Sequence, residues 1–286
     1  MPLVPTADVV AAAVAAGTGV AAFNVIGLEH AEAVLAGAEA AGSAVLVQIS
    51  QNAVAYRGGR LAPIAAACRA LAGAAAVPVG LHLDHVDDPA LARRAADEGF
   101  GSVMVDASKE PYDRNVALTR ELCDWGHEHG LWVEAELGEV GGKGGDPIGA
   151  HAPGARTDPD EARAFVAATG VDALAVAVGS VHAMTTRTAR LDLALAARLR
   201  AAVPVPLVLH GSSGVPDDEL RRALAAGIVK VNIGTALNVA CTSTVRSRLA
   251  DPALVDPRRY LAPAITAMAT EVEHLLRLIT AVPASR

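Results

Sequence analysis

Val77-Pro78-Val79-Gly80-Leu81-His82-Leu83-Asp84-His85 is the stretch on which the fold turns. It begins as an apolar run of the kind that lies buried on both faces in a parallel sheet. It ends on a carboxylate and an imidazole side by side. A charged pair at the C-terminal end of a buried strand is costly unless a metal or a substrate uses it. Seven further runs have the same shape: Val20–Asn24, Ala44–Ser50, Ser102–Ala107, Leu131–Leu137, Ala173–Gly179, Pro206–His210 and Val229–Ile233. Each is followed by a polar residue, a turn and an Ala-rich helical pattern. The helices expected between them are 28–41, 60–73, 88–98, 113–129, 158–168, 192–201, 216–226 and 237–249. A short helix over 6–16, with Thr6 as its cap, opens the chain, and a further helix over about 261–280 follows the last unit.

Eight strand–helix units predict a closed parallel sheet: α/β class, a single (β/α)8 TIM barrel with an extra C-terminal helix. The competing fold is an open doubly wound sheet, which normally carries a glycine-rich phosphate fingerprint after its first strand. Phe23-Asn24-Val25-Ile26-Gly27 is not one. No clean linker interrupts the pattern, so one domain over 1–286 is expected. That length suits the barrel, for which ~250 residues is typical.

Composition narrows the function. Apolar residues make up 52% of the chain and aromatics 3%, so Ala and Val fill most of the core. The formal charge of −7, with no basic cluster, argues against nucleic acid as a partner. No apolar run approaches the ~20 residues that span a bilayer, so no membrane contact is expected. The N-terminus carries no signal-peptide pattern, and a cytoplasmic protein is expected. Cys68, Cys123 and Cys241 are isolated and form no metal motif.

The strand ends collect the polar residues: Asn24, Ser50, Asp84, His85, Asp106, Glu134, Glu136, Ser180, His182, His210 and Asn232. In a barrel these positions line the C-terminal mouth, where active sites sit. Three neutral imidazoles, His85, His182 and His210, would leave a zinc ion one open position, the arrangement of a catalytic site. Asp84 would stand beside that metal and move a proton to or from a substrate hydroxyl. Each histidine taken singly is better read as a hydrogen-bonded core or rim residue; all three at strand ends beside Asp84 favour the metal. Asp106 and Glu136 read equally as further metal ligands, as partners of the histidines, or as salt-bridged rim carboxylates. His82 falls out of step with His85 in the strand alternation and reads as structural.

Gly211-Ser212-Ser213-Gly214 and Asn232-Ile233-Gly234-Thr235 each precede a helix, and small residues with free N–H groups there can cradle phosphate. They follow strands seven and eight, where barrels often bind phosphate. Gly138–Arg156 is a Gly- and Pro-rich stretch with no periodicity, and reads as a lid or binding loop.

These residues, in this order, resemble the class II, metal-dependent fructose-bisphosphate aldolases and their tagatose-bisphosphate relatives. The resemblance runs over nearly the whole chain. It rests on Ala22-Phe23-Asn24, Leu81–His85, Gly101–Ser108, Val133–Gly138, Gly179–His182, His210–Gly214, Lys230–Thr235 and Asp256–Leu261. It implies a zinc-dependent aldolase that cleaves a ketose phosphate to dihydroxyacetone phosphate and an aldehyde, assembled as a homodimer or homotetramer. A monovalent cation alongside the zinc is compatible with it. His85, His182 and His210 would hold zinc, Asp84 would be the general acid/base, and Asp106 and Glu136 would match an alternate metal position. Asn24, Ser50, Ala183, Gly211, Ser212, Ser213, Asn232, Ile233, Gly234 and Thr235 would contact substrate.

The departures matter as much. Ala183 stands where the family usually has Gly, and Thr186 where a Lys is common. In the loop Gly141-Gly142-Lys143-Gly144-Gly145-Asp146, Gly144 occupies the place of the proton-transferring Glu; Glu139, Asp146 and His151 are the nearby substitutes. The family Glu near Ala236 is also missing. Two other functions compete: a non-catalytic, metal-bound sugar-phosphate binder, and a Schiff-base aldolase, for which Lys230 is the candidate lysine.

Overall fold

The structure, a computed structural model, describes residues 2–138 and 156–281. Expectations placed on 139–155, including Gly144, Glu139, Asp146 and His151, lie outside the described residues. In chain order the elements are α1 (Thr6–Ala16), β1 (Val20–Asn24), α2 (Leu28–Ala41), β2 (Val45–Ser50), α3 (Gln51–Tyr56), α4 (Leu61–Ala74), β3 (Val79–Val86) and α5 (Pro89–Asp97). They continue with β4 (Ser102–Val105), α6 (Tyr112–Glu128), β5 (Trp132–Leu137), α7 (Pro159–Thr169), β6 (Ala173–Val176) and α8 (Leu193–Ala202). The last are β7 (Leu207–Leu209), a 3-10 turn at Ser212–Gly214, α9 (Asp217–Ala225), β8 (Ile228–Ile233), α10 (Thr235–Arg248) and α11 (Pro257–Thr280).

All eight strands pair in parallel and in sequence, and β8 closes on β1, so the sheet is a barrel and the open-sheet alternative falls. Alternation sorts the side chains. Phe23, Val47, Leu83, Val103, Val133, Leu174, Leu209 and Ile233 point outward into the shell between strands and helices. Ala22, Leu46 and Val229 point inward, where they meet Val9, Val10 and Ala13 of α1. Helix α1 therefore plugs the N-terminal end of the barrel. Gly80 makes room for it: a Cβ there would lie 2.5 Å from Leu46 and 3.3 Å from the Thr6 hydroxyl.

Three details differ from expectation. Thr6 is not a helix cap, because the turn starts after Pro5. Its hydroxyl instead donates to the Leu81 carbonyl and accepts from Ser102 at 2.7 Å, tying the plug to β3 and β4. The short helix α3 was not expected; Ser50 caps it, its Oγ accepting from Ala53 N at 3.2 Å. The final helix starts at Pro257, four residues before the expected 261, because Asp256 caps it and proline suits a first helical position.

Candidate metal centre

Asp84 and His85 are consecutive, so a regular strand would send them to opposite faces. The pairing of β3 with β4 shows how both reach the mouth. Leu83 pairs with Val103, but Val86 pairs with Val105, so β3 carries one extra residue at this point. His85 takes up the irregularity with a left-handed backbone, φ +50°. A bulge of this kind re-aims a side chain, and strained backbone at such a place is a mark of function. Both residues line a cavity of about 700 Å³ at the C-terminal mouth.

The three histidines come together. Ring centroids lie 4.5 Å apart for His85 and His210, 5.2 Å for His85 and His182, and 5.8 Å for His182 and His210. Glu136 joins them: one ligand atom from each of the four lies within 4.8 Å of the others. His85 Nδ1 faces Asp106 Oδ2 at 2.8 Å, and a carboxylate can only accept, so the hydrogen sits on Nδ1. His210 Nε2 faces Glu134 Oε1 at 2.9 Å and carries its hydrogen for the same reason. The other nitrogens, His85 Nε2 and His210 Nδ1, therefore turn lone pairs toward each other at 2.8 Å. Burial, and then the neighbouring His85 ring, depress the His210 pKa to about 4, so this imidazole is neutral at pH 7. Imidazole lone pairs converging beside a carboxylate fit a divalent cation of zinc's type.

Asp106 therefore stands behind His85 and outside the converging set, whereas Glu136 stands within it, with Oε2 at 3.7 Å from His210 Nδ1. Asp84 lies 3.9 Å from His85 Nε2 and is nearly buried. Its Oδ2 accepts from Asn24 Nδ2 at 2.8 Å and its Oδ1 from Asn232 Nδ2 at 3.3 Å. Asn24 is itself held by Gln48 Nε2, again at 2.8 Å.

The wall of the same cavity also carries Ala183, Gly211, Ser212, Ser213, Gly234 and Thr235. The Ser212 hydroxyl donates to the Asn232 carbonyl, and Ser213 Oγ accepts from Ala236 N at 3.1 Å, so the loops after β7 and β8 are stitched together. Gly211 has φ +64°, and a Cβ there would meet the Val181 backbone at 2.7 Å. Ile233 does not belong to this wall: the alternation of β8 turns it into the outer core. Ala183 also has a left-handed backbone, φ +60°. That conformation costs an alanine about 1–2 kcal/mol, and glycine's greater freedom when unfolded offsets about 0.4–1 of it. Ala183→Gly is expected to raise unfolding free energy by about 0.5–1 kcal/mol in urea titrations; a loss of stability would show that the methyl packs favourably.

Beneath the mouth lies a layer that strand-end reasoning undervalued. Glu134 and Lys230 are fully buried and paired at 2.8 Å, and Lys230 Nζ also donates to Asn232 Oδ1 at 2.7 Å. Burial alone would raise the Glu134 carboxyl; the Lys230 ammonium and the His210 bond override it and hold it well below the ordinary carboxylate range. This places the candidate Schiff-base lysine in an ion pair under the cavity floor. His82 is a structural interior residue, with Nδ1 at 2.8 Å from the Ser102 hydroxyl. Burial, then Lys230, lower its pKa to about 3.

A closed parallel barrel with imidazoles and a carboxylate gathered at its C-terminal mouth is the arrangement that a barrel enzyme with a divalent cation would need. The comparisons narrow this. The family described as fructose-bisphosphate aldolase class-II matches residues 4–282. A fructose-bisphosphate aldolase from Geobacillus stearothermophilus is 38% identical over 257 residues, 89% of each chain. A 6-phospho-5-dehydro-2-deoxy-D-gluconate aldolase from Bacillus subtilis is 39% identical over 259 residues, 89% of this chain and 88% of that one. The crystal structure of the YdjI aldolase from Escherichia coli K12 superposes with a TM-score of 0.82 at 31% identity, covering 97% of both chains. The chain belongs to the class-II fructose-bisphosphate aldolase family and is an aldolase, a carbon–carbon lyase. Among the described residues no helix is long and apolar enough to cross a membrane.

Proposed function

We propose that this aldolase uses one zinc ion, held by His85, His182, His210 and Glu136, to cleave a ketose phosphate such as fructose 1,6-bisphosphate into dihydroxyacetone phosphate and an aldehyde. The observation that carries the reading is the convergence of those four groups at the cavity that Asp84, His85 and His182 line. When bound, the metal supplies Lewis-acid charge at the ketone. The chain's own residues do the rest. Gly211, Ser212, Ser213 and Thr235, with the backbone N–H of Ala183 and Gly234, bind the phosphate on the β7–β8 side. Asn232 and Asn24 orient Asp84, and Ser50 lines the aldehyde side. Asp84 takes the proton of the C4 hydroxyl as the C3–C4 bond breaks. The bonding pair stays on C3, where the adjacent carbonyl spreads its charge, the aldehyde departs, and a proton returned to C3 from solvent completes dihydroxyacetone phosphate. Asp106 holds the His85 ring from behind. The family resemblance also supports one domain over the chain, a cytoplasmic location, and assembly into a homodimer or homotetramer.

The test is a panel of ketose mono- and bisphosphates assayed for triose phosphate release by zinc-loaded protein. Cleavage of at least one is expected, lost on chelation and restored by zinc. A fully loaded protein that binds sugar phosphates and releases no triose phosphate from any of them would favour the binder.

A further inference from the structure

Lys230 and Glu134 sit below the cavity, not on its wall, and both are wholly buried. An ion pair is an expensive way to fill a barrel interior, because apolar residues of similar volume often serve stability as well or better. The remaining bonding capacity of each partner shows what this pair does. A carboxylate only accepts, so Glu134 Oε1, 2.9 Å from His210 Nε2, requires the hydrogen on that nitrogen. His210 Nδ1 is then left as a lone pair facing His85 and Glu136. An ammonium only donates, so Lys230, 2.7 Å from Asn232 Oδ1, fixes which end of that amide faces it. The amide nitrogen must turn to Asp84 Oδ1, at 3.3 Å. The 3.1 Å approach of Asn232 Nδ2 to His210 Nε2 brings two donors side by side and is not a hydrogen bond. An uncharged pair here would permit either histidine tautomer and either amide orientation.

We propose that Lys230 and Glu134 form a positioning pair that sets the tautomer of His210 and the amide direction of Asn232, so that the metal-facing nitrogen and the Asp84 carboxylate are both aimed before metal or substrate arrives. The proposal rests on the reading of His210 as a metal ligand. The ligand's partner carboxylate and the cation that anchors it act through other groups and touch no substrate.

The test is the double variant Lys230→Met/Glu134→Gln, which removes both charges at similar volume. Zinc affinity, measured by competition with a chromophoric chelator, is expected to weaken ~10–100-fold. The ligand-field bands of the cobalt(II)-substituted protein are expected to shift, and kcat at saturating zinc to fall with KM nearly unchanged. A folded double variant with wild-type zinc affinity and a wild-type cobalt spectrum overturns the proposal. Should the variant not fold, the unaltered protein decides: nitrogen-15 shifts of metal-free wild type should show His210 protonated at Nε2, and protonation at Nδ1 overturns it. Failure of wild type to cleave any ketose phosphate would count against the proposed activity without altering these metal and tautomer readouts.

Discussion

His210→Ala is expected to leave a folded protein that retains little zinc after dialysis and turns over negligibly. The ring is buried and central, with Nδ1 2.8 Å from His85 Nε2 and 3.7 Å from Glu136 Oε2. Its loss takes away a nitrogen donor and leaves His85, His182 and Glu136 around a cavity that water can enter. Two imidazoles and a carboxylate hold zinc where they are built to do so alone, but these three are arranged around a fourth donor, so its removal is expected to lower affinity steeply. The variant also deprives Glu134 of a hydrogen-bond donor; Lys230, at 2.8 Å, keeps that carboxylate compensated, so the barrel should survive. Metal content by elemental analysis and folding by circular dichroism check the two halves separately. Full zinc occupancy in the variant would remove His210 from the centre.

Asp84→Ala is expected to do the opposite: keep the metal and lose the chemistry. Asp84 is not among the four groups whose donor atoms converge, so zinc content should stay close to wild type. Its two oxygens accept from Asn24 and Asn232, which fixes the carboxylate at the floor of the cavity, where a substrate hydroxyl would arrive. Losing a positioned acid/base costs typically 10²–10⁴ in rate, so kcat should drop by about that factor while substrate binding persists. Asp84→Asn should fare little better. An amide cannot take the proton, and its NH2 would face one of the two asparagine donors. Steady-state kinetics on the metal-loaded variants check this; wild-type kcat in either would assign the proton transfer elsewhere.

How far the sequence reveals this site depends on the kind of signal. The eight strands are legible because buried parallel strands read as uninterrupted Val, Leu and Ala runs that break at a polar residue, and those breaks mark the mouth. Ile233 shows where motif reading misleads: it lies inside the Asn232–Thr235 match, yet alternation turns it outward. The bulge at Asp84–His85 is invisible in composition, since it depends on a register shift against a strand some twenty residues later. Glu136 and Asp106 could not be ranked from sequence because both follow apolar residues near strand ends. Only the paired register of neighbouring strands puts one among the histidine nitrogens and the other behind His85. Lys230 and Glu134 carry the charge pattern of surface residues, and their meeting across the barrel comes from β5 and β8, 96 residues apart. Helix α3 escapes because Gln51–Tyr56 has only six residues, too few to show a period.

The most direct measurement is an anomalous difference map at the zinc edge from crystals of the zinc-loaded protein. One strong peak is expected, bonded by His85 Nε2, His210 Nδ1 and a nitrogen of His182, with Glu136 reaching the same peak and Asp84 adjacent but unbonded. A peak elsewhere, or density among the three rings that belongs to no metal, would contradict the assignment.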